Sequence, residues 1–136
     1  MKAFILSAGK GERMYPLTKD TPKSLLKLGN GSTVLDTQLH TIQRSNINEV
    51  VIVVGYKHEK IGDKVRCYRD KGMNITTIFN PFYDLSNAFV SLWLCQNEMT
   101  EDFIIMNGDT LFKPEVLKKL IEAGEGIYVA IDKKEK

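Results

Sequence analysis

The chain has 136 residues with a formal net charge of +2; it is 43% hydrophobic and 26% charged, with ten glycines, four prolines and two cysteines. These proportions fit one α/β or α+β domain and exclude an intrinsically disordered chain, because apolar residues are plentiful and the net charge is small. Two cysteines cannot build a disulfide framework, no Cys/His spacing reads as a zinc site, and no apolar run approaches the length of a membrane span.

In chain order, Lys2–Ser7 is an apolar run that fits a buried strand, followed by a glycine- and proline-punctuated loop from Ala8 to about Leu28. Thr33-Val34-Leu35-Asp36 has the form of a capping box, and Leu35, Leu39 and Ile42 then recur at helical spacing. Glu49–Val54 is a β-branched strand ended by Gly55, and Ile61, Val65 and Tyr68 mark an amphipathic helix that closes before Gly72. Ile75–Phe79 reads as a strand stopped by Asn80-Pro81. Ser86 is the expected cap of a helix to about Met99 that packs Phe89, Leu92 and Trp93 on one face. Phe103–Met106 is a further strand, Pro114 opens a helix that ends at Gly124, and Gly126–Ile131 is expected to be the last strand before a charged end.

Strands alternating with helices predict a mainly parallel sheet covered on both faces, a Rossmann-like three-layer α/β/α sandwich. Ligands on such sheets bind beyond the C-terminal ends of the strands. Ala8–Lys23, Asn80–Asn87 and Asn107–Thr110 all fall at such ends.

Charge is concentrated at the first of these. Residues 1–30 hold six basic and two acidic groups, whereas the rest of the chain holds 13 basic and 15 acidic. A cationic loop on a nearly neutral body predicts a small anionic ligand and argues against nucleic acid, whose binders spread basic groups over a face with aromatics between them.

The loop reads Ala8-Gly9-Lys10-Gly11-Glu12-Arg13-Met14-Tyr15-Pro16-Leu17-Thr18, then Lys19-Asp20-Thr21-Pro22-Lys23. It fails the dinucleotide fingerprint, which needs a glycine where Met14 stands, and the Walker loop, which needs Ser or Thr after Lys10. What remains is Gly-x-Gly-x-Arg with a proline-led lysine farther on. Glycines let backbone N–H groups approach phosphate oxygens, Arg13 supplies a planar fork for a polyphosphate, and Lys23 supplies a compact point charge.

Gly9-x-Gly11-x-Arg13-Met14-x-Pro16-Leu17-Thr18 with Pro22-Lys23-x-Leu25-Leu26 resembles the signature of nucleotidyltransferases that act on phosphorylated sugars and alcohols. The resemblance covers essentially the whole chain and implies a single nucleotidyltransferase-like domain over residues 1–136. It corresponds to the N-terminal, nucleotide-binding part of the family's domain, with a second metal-binding aspartate and much of the acceptor pocket expected later in the family's sequences. A sheet cut there leaves an edge strand open, which favours a homo-oligomer. By position the resemblance gives triphosphate contacts to Ala8, Gly9, Lys10 and Gly11, pyrophosphate contact to Arg13, and a place between donor and acceptor phosphates to Lys23.

Phe103–Met106 runs into Asn107-Gly108-Asp109. Asn-Gly is a strong hairpin signal, but a helix rather than a returning strand follows, so Asp109 is expected at the sheet's C-terminal edge. A carboxylate facing polyphosphate calls for Mg2+ between them, and the resemblance places a metal-binding aspartate at Asp109. Asn80-Pro81 through Asn87 departs from the sugar-phosphate members, which carry Gln-Pro and then a glycine. It is more similar to choline-phosphate cytidylyltransferases and related alcohol-phosphate or phosphonate enzymes, which implies that Asn80 and Asn87 lie near the base or ribose.

The expected function is therefore transfer of a cytidylyl group from CTP to a phosphorylated small alcohol or phosphonate, with release of pyrophosphate. A sugar-1-phosphate nucleotidyltransferase using TTP, UTP or GTP is the alternative, and a non-catalytic nucleotide-binding module or inactive fragment is the alternative of another class. Ala3–Ala8 is too short for a signal peptide, so the cytoplasm is the expected compartment. His40 and His58 read as surface or partly packed side chains, and Cys67 and Cys95 as packing residues inside helices.

Overall fold

The computed structural model describes residues 1–133. Four strands, β1 (Lys2–Ser7), β2 (Glu49–Val54), β3 (Asn74–Phe79) and β4 (Phe103–Asn107), form one sheet in the order β3-β2-β1-β4. Every pair is parallel: Leu6 stands opposite Val53 on one side and Asn107 on the other. All four strands therefore end at one edge, as the alternation of elements predicts.

The pleat sorts the strand residues into two cores. Ala3, Ile5, Val50, Ile52, Val54, Ile75 and Met106 face helices α1 (Val34–Arg44), α2 (His58–Asp70) and α4 (Pro114–Glu122), which contribute Leu35, Leu39, Ile42, Ile61, Val65, Tyr68 and Leu117. Phe4, Val51 and Val53 face the other way, onto α3 (Ala88–Leu94) and the turn after it, where Leu92, Cys95 and Met99 cover them. None of the helices among the described residues is long and apolar enough to cross a membrane.

Several local expectations differ. Ser86 does not cap α3: Asn87 does, its Oδ1 accepting the Phe89 N–H at 3.0 Å. The helix stops at Leu94 and a single 3-10 turn, Gln96–Glu98, follows. Phe89 and Trp93 do not pack inward; they are 78% and 61% exposed, and Leu92 alone of that trio joins the core. Cys67 is exposed, whereas Cys95 is buried as expected. Gly126–Ile131 forms no strand, because no neighbouring strand offers it hydrogen bonds among the described residues; Ile127, Val129 and Ile131 stand 98%, 76% and 74% exposed. Residues 134–136 of the charged end lie outside the described residues.

The capping box forms and is larger than its sequence signature. Thr33 Oγ1 accepts the Asp36 N–H at 3.1 Å, and Asp36 Oδ2 accepts the Thr33 N–H at 2.8 Å. Asp36 also takes the Tyr68 hydroxyl at 2.6 Å and pairs with Lys64 Nζ at 2.7 Å, which ties the start of α1 to α2. Burial pushes the Asp36 pKa up, but the hydrogen bonds from Lys64, Tyr68 and Thr33 outweigh it and hold the carboxyl well below its ordinary value. Burial, with Asp36 adjacent, pushes the Tyr68 phenol up.

Folded Asp36 keeps its charge at pH values where the unfolded chain takes up a proton. Its contribution is thus complete above an unfolded carboxyl pKa of about 4 and declines as pH falls below that value. Asp36→Asn is expected to lower stability at pH 7 by about 2 kcal/mol, the range for hydrogen bonds to a buried charge. Urea unfolding of both proteins at pH 7 and pH 3 checks this, the gap being smaller at pH 3.

Candidate active site

β1 ends at Ser7, and the chain turns across the sheet edge into the glycine loop. Gly11 adopts a left-handed conformation, φ 70°, and its carbonyl accepts the Met14 N–H at 2.9 Å and the Thr18 hydroxyl at 2.7 Å. Thr18 is fully buried, so the loop is folded back on itself rather than splayed into solvent. Its far side is fastened to the chain after β2, where the Tyr56 hydroxyl donates to the Lys19 carbonyl and Lys60 Nζ to the Asp20 carbonyl.

The loop returns through Pro22 into a 3-10 turn, Lys23–Leu25. Ser24 is buried and its Oγ receives the Ser7 hydroxyl at 2.8 Å, which stations Lys23 beside the end of β1. A Cβ on Gly11 would stand 2.5 Å from Lys23 Cγ, so the lysine stem passes over a residue that has to be glycine. Gly9 differs: a Cβ there meets nothing within 4 Å and points into open space.

From the neighbouring strand, Gly108 donates its N–H to the Leu6 carbonyl at 2.8 Å. A Cβ at this position would come within 2.8 Å of Ser7 Cβ. Asn107-Gly108 makes no hairpin; the chain continues to Pro114 and α4, leaving Asp109 at the edge. Lys23 Nζ lies 2.6 Å from Asp109 Oδ2.

The third segment forms the facing wall. Asn80 is 1% exposed, donates Nδ2 hydrogens to Ser86 Oγ at 3.1 Å and Ser91 Oγ at 3.0 Å, and accepts the Phe82 N–H at 2.9 Å. Both amide hydrogens are thus committed to holding the 80–91 segment together, and none is left for a nucleobase. Asn87 spends only its oxygen, on the α3 cap. Lys10 and Asp84 pair across the mouth and join the two walls; the hydrogen bond that Lys10 donates to Asp84 raises the Lys10 pKa.

Between the walls lies an open cleft of about 320 Å³ whose lining includes Ala8, Gly9, Arg13, Lys23, Asn80, Asn87 and Asp109. An adjoining hollow of about 540 Å³ extends it over Lys10 and Gly11. The structure therefore brings all the candidate site residues named from the sequence to this cleft and its adjoining hollow. Arg13 is exposed and forms no ion pair among the described residues. Sequence reasoning missed Ser7, Ser24, Asp84 and Ser91, small or common residues whose importance is visible only when distant segments meet.

Residues 2–136 match the family model described as "Nucleotidyl transferase". A choline-phosphate cytidylyltransferase from Streptococcus pneumoniae is 34% identical over 113 residues, covering 83% of this chain and 47% of the relative. A UTP–glucose-1-phosphate uridylyltransferase from Haloferax volcanii is 30% identical over 82% of this chain and 44% of the relative. A solved structure of CTP:phosphocholine cytidylyltransferase from Streptococcus pneumoniae superposes with a TM-score of 0.74 at 32% identity, over 83% of this chain and 47% of that one. The chain spans about half the length of these relatives.

The glycine geometry separates two positions that look alike in sequence. Gly11→Ala is expected to lose at least about 1 kcal/mol of stability, because a Cβ there both disfavours the left-handed backbone and presses on the Lys23 stem. Gly9→Ala should remain within about 0.5 kcal/mol of the parent. Paired thermal melts check the contrast, and equal losses would count against it.

Proposed function

Because the chain belongs to the nucleotidyl transferase family, we propose that this cleft binds CTP and that the protein transfers its cytidylyl group to a phosphorylated small alcohol or phosphonate. The observation that carries this reading is the convergence of Arg13, Lys23 and Asp109 at the edge of a cleft floored by glycine backbone. Similarity to the pneumococcal cytidylyltransferase supports CTP over other nucleotides, as does the Asn80-Pro81 to Asn87 segment.

An acceptor phosphate monoester has a second pKa of about 6 and is already ionised at neutral pH. Its oxygen can attack the α-phosphorus without a protein base, forming one P–O bond as the bond to pyrophosphate breaks. The difficulty is charge, since two polyanions have to meet. Gly9 leaves room for triphosphate oxygens to approach the loop backbone, Arg13 takes the departing pyrophosphate in its planar fork, and Lys23 stands where donor and acceptor phosphates meet.

Asp109 suits Mg2+. It offers a carboxylate at the cleft wall, and no cluster of three or more His, Cys, Asp or Glu side chains surrounds it among the described residues. One carboxylate completed by phosphate oxygens and water is a ligand set this ion favours. When bound, the ion supplies charge neutralisation to the phosphates. Asn80 acts as a brace for the wall, and Asn87 keeps its Nδ2 donor available for the ribose or base.

The uridylyltransferase relative favours a second reading, a sugar-1-phosphate acceptor with UTP, TTP or GTP as donor. Calorimetric binding of CTP, UTP, TTP, GTP and ATP with Mg2+, repeated on Arg13→Ala, decides between them. Selective CTP binding lost in the variant is the expected result, and preference for another nucleotide supports the second reading. Failure of the folded protein to bind any nucleotide counts against both.

Lys23→Ala is expected to lower turnover by about 10²–10³, the usual loss for one preorganised charge contact, with unchanged melting. Pyrophosphate release assayed on the intact protein with phosphocholine and with glucose 1-phosphate measures it. A variant that keeps most of its activity would sink the mechanism.

A further inference from the structure

We propose that Gln38 is a positioning residue: its side-chain amide clamps both ends of the Asn107–Thr110 turn and so sets where the Asp109 carboxylate stands in the cleft. The proposal rests on the reading of Asp109 as a metal-binding carboxylate. Its structural basis is independent of that reading.

Gln38 lies on α1, 1% exposed, in the same buried stripe as Leu35, Leu39 and Ile42. Its Nε2 donates to the Asn107 carbonyl at 2.9 Å and to the Thr110 carbonyl at 2.8 Å. The Thr110 N–H donates to the same Asn107 carbonyl at 3.2 Å and closes the turn. Asp109 sits between these anchors. On the opposite side, the Gly108 N–H is fixed to the Leu6 carbonyl of β1. The turn is therefore held from the helix layer and from the sheet together.

The orientation of the amide carries information. Gln38 Oε1 is buried with no hydrogen-bond partner, which is unfavourable for a polar atom out of water. Rotating the amide would turn Oε1 towards two carbonyl oxygens, with no hydrogen between them. A leucine or methionine in this stripe would fill the space without an orphaned acceptor. The position thus holds a residue that is poor as core packing and suited to donating two hydrogens to one turn. Ser24 and Ser7 perform the matching task for Lys23, so both members of the 2.6 Å Lys23–Asp109 pair are set by polar contacts behind them.

The test uses the intact protein. In the parent, the Gln38 side-chain amide hydrogens should exchange slowly and show through-hydrogen-bond couplings to the carbonyl carbons of Asn107 and Thr110; their absence would overturn the clamp without any variant. In Gln38→Met, which conserves volume, amide exchange should speed up at Gly108, Asp109 and Thr110 and stay unchanged at Ile5 and Val53. The Mg2+ concentration for half-maximal CTP binding should rise about 10- to 100-fold, the loss typical when a group behind a metal ligand is removed. CTP affinity without Mg2+ should not change. In an Asp109→Asn background, adding Gln38→Met should bring no further rise.

Uniformly faster exchange in Gln38→Met, or an unchanged Mg2+ requirement in the folded variant where Asp109→Asn raises that requirement, would make Gln38 a packing residue and overturn the proposal. An unchanged Mg2+ requirement in Asp109→Asn alone, with local exchange at residues 108–110 faster in Gln38→Met, supports the clamp and rejects Asp109 as the metal ligand.

Discussion

β1 and β4 run parallel and in register, with Leu6 opposite Asn107, so the segments that leave them emerge side by side at one edge. One carries the cationic loop and the other carries Asp109. Residues 86 positions apart in sequence, Lys23 and Asp109, meet because of that pairing. The hydrogen bond from Gly108 to Leu6 continues the ladder past the last strand residue, so the turn bearing Asp109 remains part of the sheet. The other features of the cleft follow from this edge: the serine pair that stations Lys23, the amide of Gln38 behind the turn, and the braced wall at Asn80.

The two faces of the sheet are unequally covered. α1, α2 and α4 share one face, and the aliphatic residues of β1 and β2 meet them there. α3 alone serves the other, and towards the β4 edge Phe103 and Ile105 remain 41% and 40% exposed, with Phe103 resting edge-on against Phe4 at 5.5 Å. The cleft opens beside the thinly covered face, where α3 and the 80–87 segment form its wall. A short helix with outward-facing Phe89 and Trp93 is held there by Leu92, Ser91 and the Asn80 network.

Much of this could be read from sequence where the signal is local. Apolar and β-branched runs bounded by turn residues placed β1 to β4, helical spacing placed α1 and α2, and Thr33 with Asp36 marked the start of α1 within one turn. The glycine, arginine and lysine offsets marked the loop because its geometry is carried by neighbouring residues. Legibility failed where a partner decides the outcome. Gly126–Ile131 has a strand's composition, but a strand exists only beside another strand. Phe89 and Trp93 have helical spacing, yet spacing alone does not say which face meets the sheet. The signal at Gln38 was present, a glutamine in line with Leu35, Leu39 and Ile42, but an amide on a buried stripe names no partner by itself. Asn80 was matched to a nucleotide contact by motif, and only the structure shows both its hydrogens already engaged.

The ion pairs of the cleft bear on which anions it can hold. Lys10 and Lys23 each already have a carboxylate, Asp84 and Asp109, so part of the positive charge counted in the sequence is met from within. Anion binding at these two lysines would therefore be an exchange of partners rather than attraction to an open cationic surface. An entering anion gains only the difference between its own attraction and that of the carboxylate it displaces. At the two lysines a singly charged anion gains almost nothing by that exchange, whereas a chain of linked phosphates would replace both carboxylates at once and also engage Arg13. The resting pairing of the side chains would in this way favour a polyphosphate over abundant small anions through charge alone.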